Sequence, residues 1–212
     1  MSNEIKPELY TTLAGEGSDA FEERRSEFIG FAKHVTDEQE AQAVIKQKKK
    51  EFADATHNCW AYVLGDGTVA RYSDDGEPQG TAGMPILDVI RKSGVTDAVV
   101  VVTRYFGGIL LGAGGLVRAY SHGASVALDA ARIVTYEKYA ELVLVCSYSD
   151  YQKYSVILPT FNAIVDSTEF SDKVTVRFAV KETAVTSLAE KITEMSGGRD
   201  KAEKTGERFD YR

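Results

Sequence analysis

The sequence predicts an α+β protein built as two consecutive domains, and three observations carry that prediction. Apolar residues switch repeatedly between a period of two and a helical period, so strands and helices alternate along the chain. A nearly unbroken apolar run at 98–102 marks a strand covered on both faces. After residue 138 the pattern restarts as strand, helix, hairpin, helix and strand. That order is βαββαβ, the split βαβ arrangement of a ferredoxin-like domain. The expected domains are 1–135 and 136–212, and a chain of 212 residues has length enough for two small cores.

Each element has its own signal. "YTTL" at 10–13 reads as a strand, with Gly15–Gly17 as the turn after it, and "SEFIGFAKHV" at 26–35 reads as a second strand. Asp37 starts a helix with Ala41, Val44, Ile45 and Phe52 at helical spacing and Lys46, Lys48, Lys49 and Lys50 on its solvated side. In "HNCWAYVLG", 57–65, His57, Cys59, Ala61 and Val63 face one way and Asn58, Trp60, Tyr62 and Leu64 the other. "GDGT", 65–68, turns the chain into a returning strand, "VARYS". "GMPILDVIRKSG" is a short helix with Pro85 in its first turn and Gly94 at its end. A longer helix over 113–133 places Leu116, Val117, Tyr120, Ala124, Ala127, Leu128 and Ala131 on one side.

In the second half "AELVLVCSY" is a strand, and "DYQKYSVILPTF" a helix aligning Tyr151, Tyr154, Leu158 and Phe161. "NAIVDSTEFS" and "KVTVRFAV" form a hairpin. "TAVTSLAEKITEMSGG" aligns Val185, Leu188, Ile192 and Met195 and stops at Gly197–Gly198. "KAEKTGERFDY" closes the domain as a polar strand.

Composition narrows the function. With 25 basic and 32 acidic residues the net charge is -7, so the whole molecule is not drawn to phosphate backbones or anionic membranes. A nucleic-acid site would have to be a local patch. Cys59 and Cys146 belong to no CxxC pair, which suits a reducing cytosol. The opening "MSNEIKPELY" lacks the basic and apolar regions of a signal peptide. No apolar stretch approaches the roughly 20 residues of a membrane span. The expectation is a cytoplasmic protein with no membrane partner.

Two stretches carry candidate chemistry. "YSDDGEPQGTAG", 72–83, crowds Asp74, Asp75 and Glu77 together. These oxygens suit a hard cation such as Mg²⁺. Equally, "SDDGEP" is turn chemistry, with Asp side chains bonding nearby amides and Pro78 stopping the strand. "TRYFGGILLGAGGLVRA", 103–119, sets Gly107, Gly108, Gly112, Gly114 and Gly115 between a strand and a helix, flanked by Arg104 and Arg118. A helix N-terminus with arginines beside it suits an anion, and glycines also suit a tight, closely packed turn. Neither the Walker loop nor the dinucleotide fingerprint is present. Acids in one stretch and arginines in the other predict a shared cleft. His57 and Cys59 share a strand face, but same-face neighbours lie about 6.5–7 Å apart along a strand. Burial is the better reading of that pair, and Ser121–His122 likewise reads as packing.

"RYFGG" at 104–108 and "LGAGGLVRAY" at 111–120, preceded by "HNCWAY" and "SDDGEPQGTAG", resemble the IMPACT/YigZ family. The motifs span residues 20–133, and the remainder is similar to the extra domain of the bacterial YigZ-type members. The resemblance implies a first domain that is a two-layer α/β sandwich, similar to the second domain of a small-subunit ribosomal protein. It implies a second, ferredoxin-like domain similar to those of elongation factor G. Eukaryotic relatives regulate translation initiation by competing for an activator of a stress kinase, so the implied role here is a translation-associated regulator. Carried over by position, the family-like surface residues are Asp74, Asp75, Glu77, Gly80, Thr81, Gly83, Arg104, Tyr105, Phe106, Gly107, Gly108, Gly112, Gly114, Gly115 and Arg118. The expected partner is RNA, the ribosome or a translation-related protein, with Tyr105 and Phe106 available for stacking and no cofactor required. The rival expectation is an enzyme or sensor for a phosphorylated small molecule, nucleotide-like, its anion at the Gly107–Gly115 loop and Mg²⁺ on Asp74 and Asp75.

Overall fold

The computed structural model describes residues 9–65 and 67–211. Residues 1–8, read above for a signal peptide, and Asp66 of the expected turn lie outside the described residues. The chain divides into two compact units, Tyr10–Thr135 and a second that takes the chain from Tyr136 onward together with Leu9.

The first unit contains most of β1 (Leu9–Leu13), then β2 (Glu16–Glu23), β3 (Ser26–His34), α1 (Glu38–Glu51), β4 (His57–Leu64), β5 (Val69–Ser73), α2 (Gly83–Lys92), β6 (Ala98–Tyr105) and α3 (Ala113–Ala131). Five of its strands form an antiparallel sheet in the order β2-β3-β6-β4-β5. β6 is the central strand, which is why its valines read as one continuous apolar run. Val100 and Val102 pack with Phe28, Cys59, Ala61 and Val63 beneath α2 and α3. Val99 and Val101 pack with Phe31, Tyr62 and Leu64 on the opposite face, beneath Ala41, Val44 and Ile45 of α1. The sandwich therefore carries a helix on its second face as well. From Cys59 onward the alternation predicted for this strand matches these two cores, with Cys59, Ala61 and Val63 in one and Trp60, Tyr62 and Leu64 in or against the other.

Local chemistry explains the helix starts. The Asp37 carboxylate accepts the Glu40 amide at 2.8 Å, and the Glu40 carboxylate in turn accepts the Thr36 amide at 2.8 Å. β2 is not predicted by periodicity, because its sequence, EGSDAFEE, is mostly exposed. Pairing with β3 along its whole length makes it a strand, and the Phe21 ring anchors it, stacked 5.2 Å from Phe28 and edge-on 4.5 Å from His122. Val117 also departs from its expected place: it is 37% exposed, because it follows Leu116 by about 100° around the helix and leaves the buried stripe.

α3 lies so close to the sheet that a side chain at Gly30 would collide with the Gly123 carbonyl oxygen. The two glycines thus let helix and strand backbones touch.

The second unit contains most of β7 (Ile133–Cys146), then α4 (Tyr148–Ile157), a 3₁₀ turn at Leu158–Phe161, β8 (Ile164–Phe170), β9 (Val174–Lys181), α5 (Val185–Ser196) and β10 (Ala202–Asp210). Strand order β10-β7-β9-β8, all antiparallel, is the ferredoxin-like order of fourth, first, third and second strand. Leu142, Leu144, Phe178, Leu188 and Ile192 form its core. Pro159 has no amide to continue α4, so the expected single helix finishes as the 3₁₀ turn. α5 ends at Gly197 with φ +62°, a left-handed cap.

Gly30→Ala should lower unfolding stability by about 1–3 kcal/mol, the cost of forcing extra atoms into a packed core. Gly15→Ala, where an added carbon meets nothing within 4 Å, should be close to neutral. Urea unfolding of the two variants measures the difference.

Candidate functional site

The acidic stretch begins where β5 ends, and its three carboxylates take three different structural roles. Asp74 closes the loop over itself: its Oδ2 accepts the Gly80 amide at 2.9 Å, and its Oδ1 accepts the amides of Ala82 and Gly83 at 3.1 and 2.8 Å. It thereby caps α2, whose own N-cap residue, Ala82, has no side-chain acceptor to offer. Asp75 ties the loop to neighbouring elements. Its Oδ2 accepts the Asn58 amide at 2.7 Å, and its Oδ1 takes the Lys49 ammonium at 2.5 Å. Thr81 donates its hydroxyl to the Pro78 carbonyl at 2.6 Å.

Glu77 points inward and is 8% exposed. Its Oε1 receives Arg104 Nη1 at 2.6 Å and the Tyr120 hydroxyl at 2.8 Å. Arg104, from the end of β6, is 5% exposed; its Nη2 reaches Ser26 Oγ at 3.4 Å, and its Nε makes no hydrogen bond. The Phe28 and Phe106 rings lie 5.5 and 5.4 Å from its guanidinium carbon. His57 Nε2 stands 3.8 Å from Glu77 Oε2, while Nδ1 is 2.9 Å from the Asp75 carbonyl. A carbonyl can only accept, so Nδ1 carries the proton. The acidic and arginine-bearing stretches thus meet, and their contact is made in the interior.

Cys59 sits in the same cluster and donates its thiol to the Asp74 carbonyl at 2.9 Å. Burial pushes its pKa up strongly, and the negative charges of Glu77, Asp75 and Asp74 add to the effect. Burial likewise raises the Tyr120 phenol. Both groups stay protonated, so Cys59 is a packed thiol and not a nucleophile. Among the described residues no three His, Cys, Asp or Glu side chains gather as a metal site.

Past Tyr105 the second stretch leaves the interior. The Tyr105 hydroxyl bonds Asp54 at 2.9 Å, and Phe106, Ile109 and Leu110 are 45%, 41% and 80% exposed. Gly107 is seated so tightly on the Arg25 carbonyl that no side chain would fit. Gly80, Gly108 and Gly112 take positive φ, and Gly114 and Gly115 lie in the first turn of α3. That turn has neither a side-chain cap nor an acid, so the positive end of the helix faces outward beside exposed Arg118. Sequence reading did not single out Arg24 and Arg25. They occupy the two left-handed positions of the β2–β3 turn, φ 48° and 64°, where glycine or asparagine is usual. It also missed Ser26, and it placed Lys49 on a solvated helix face where the structure pairs it with Asp75; both roles arise only from elements distant in sequence.

The Impact N-terminal domain family matches residues 24–128, and a domain of unknown function, DUF1949, matches 144–199. The chain is 37% identical over 191 residues to the IMPACT family member YvyE of Bacillus subtilis, covering 90% of this chain and 88% of that one. This protein belongs to the IMPACT family. A crystal structure of a hypothetical protein with 31% identity covers 95% of this chain and 99% of its own, at a TM-score of 0.59. A protein IMPACT homologue of Saccharomyces cerevisiae is 35% identical over 100 residues, 45% of this chain and 38% of its own. Both the buried Glu77–Arg104 pair and the exposed loop lie inside the matched IMPACT segment.

Glu77→Ala should cost about 3–5 kcal/mol of unfolding stability, because it strands a buried guanidinium. Chemical denaturation tests this. Cys59 should resist a thiol-specific reagent in the native protein, as should Cys146, whose burial raises its pKa to about 11. Labelling should track global unfolding, and fast labelling of Cys59 under native conditions would contradict the packed-thiol assignment.

Proposed function

We propose that this protein is a cytoplasmic, translation-associated regulator that works by binding RNA or a translation factor. The contact surface is the loop 106–112 with Arg118, and the 72–83 segment and Arg104 form its rigid support. The observation that carries this reading is the division of labour in the site. Every acid of the 72–83 stretch is engaged with amides, Lys49 or Arg104, while Leu110, in the loop that follows Arg104 along the chain, stands 80% exposed. A contiguous exposed apolar loop mounted on a closed polar cluster suits recognition of a macromolecule. Family membership supports the link to translation, since the IMPACT resemblance implies a regulator of that process. The two-unit organisation gives such a regulator a second, ferredoxin-like module.

Co-sedimentation with ribosomal particles from the organism's own lysate tests the proposal. Wild-type protein should travel with the particles at low and moderate salt. Leu110→Asp combined with Arg118→Glu should abolish this while leaving the urea midpoint unchanged. Equal co-sedimentation of both proteins would refute the proposed surface.

A further inference from the structure

We propose that the exposed corner formed by Phe106, Ile109, Leu110 and Arg118 with Arg24 and Arg25 receives a protein segment, an amphipathic peptide bearing carboxylates. The inference rests on the reading above that this loop is the contact surface, and it names the occupant.

The parts form one place. The Arg24 guanidinium reaches the Leu110 carbonyl at 3.4 Å, and the Arg25 carbonyl is the seat of Gly107. Arg118 Nη1 lies 3.7 Å from where a side chain on Gly114 would begin, so it covers the first turn of α3. Hairpin turn, loop and helix start therefore share a surface.

What is exposed there selects the partner. Bases are gripped by stacking on aromatic rings and by hydrogen bonds to their edges. Ile109 and Leu110 offer neither. Their gain comes from burial against other apolar side chains, and Val117, 37% exposed one turn into α3, extends the same character. Phe106 is the one aromatic ring among these exposed side chains, and its ring already faces the Arg104 guanidinium.

Charge points the same way. Glu22 and Glu27 pair with each other, and Glu27 pairs with Tyr105, so they share the face of the sheet covered by α1. Phe21 and Phe28 pair on the face under α3. Glu23 stands 4.0 Å from Arg24, and Asp54 is taken up by the Tyr105 hydroxyl. Arg25 and Arg118 are exposed. A net charge of -7 repels a long polyanion at a distance. A short segment with a few carboxylates meets the local arginines within roughly one Debye length of about 8 Å. The surface thus complements an apolar stripe flanked by acids, the pattern of an amphipathic helix laid on a receiving face.

The test uses a short fluorescein-labelled synthetic peptide with leucines at i, i+3, i+4 and i+7 and glutamates between them. A scrambled peptide of equal composition and an oligouridine serve as competitors. Anisotropy should show saturable binding that weakens about tenfold in Leu110→Asp and in Arg118→Glu, a loss typical of a central contact. Neither competitor should displace the peptide. Displacement by oligouridine, binding indifferent to both substitutions, or an absence of saturation would each overturn the assignment. If the peptide fails while ribosomal co-sedimentation still depends on Leu110 and Arg118, the translational reading stands and the peptide occupant falls. The opposite pattern leaves this assignment standing and removes the link to translation.

Discussion

A buried ion pair organises the first unit. Glu77 comes from a loop, Arg104 from the end of the central strand and Tyr120 from the long helix, and they converge on one carboxylate oxygen. Two opposite charges removed from water are tolerable only when each satisfies the other and further hydrogen bonds take up the remaining capacity. Ser26 from β3 and the flanking rings of Phe28 and Phe106 supply part of that shell. Through this pair, the loop after β5 is locked to strand and helix at once.

That lock separates what the site stabilises from what it presents. Asp74 folds the loop and caps α2, and Asp75 fastens it to α1 and β4. With those acids spent inside, the chain emerging after Arg104 begins from a rigid point. It presents apolar side chains and an open helix end, with two arginines of the neighbouring hairpin beside them. The left-handed backbone at Arg24 and Arg25 is a costly choice for a turn where glycine serves better, of the order of 1 kcal/mol or more per residue. Such a turn persists because β2 and β3 pair along their whole length and Gly107 packs against its carbonyl.

Much of the fold was legible in the residues alone. Alternation over 59–64 named both faces correctly, Asp37 announced α1, and the ferredoxin-like order followed from the succession of periods. β2 escaped because an exposed edge strand lacks the apolar alternation that reveals a half-buried one. Val117 was misplaced by a single step around the helix. The site was half legible: the two stretches stood out for their acids, glycines and arginines, but nothing in their composition distinguished a turn-closing aspartate from a ligand.

By itself, then, the sequence determined most of the segments that become strand and helix, and which side chains are chemically able to act. Those are local properties, set by periodicity, capping and turn chemistry. Tertiary structure alone decided that Glu77 and Arg104 meet inside while Phe106, Ile109 and Leu110 remain outside. The reason is that a charge's role depends on its partner and its distance from water, and both are supplied here by residues distant in the chain.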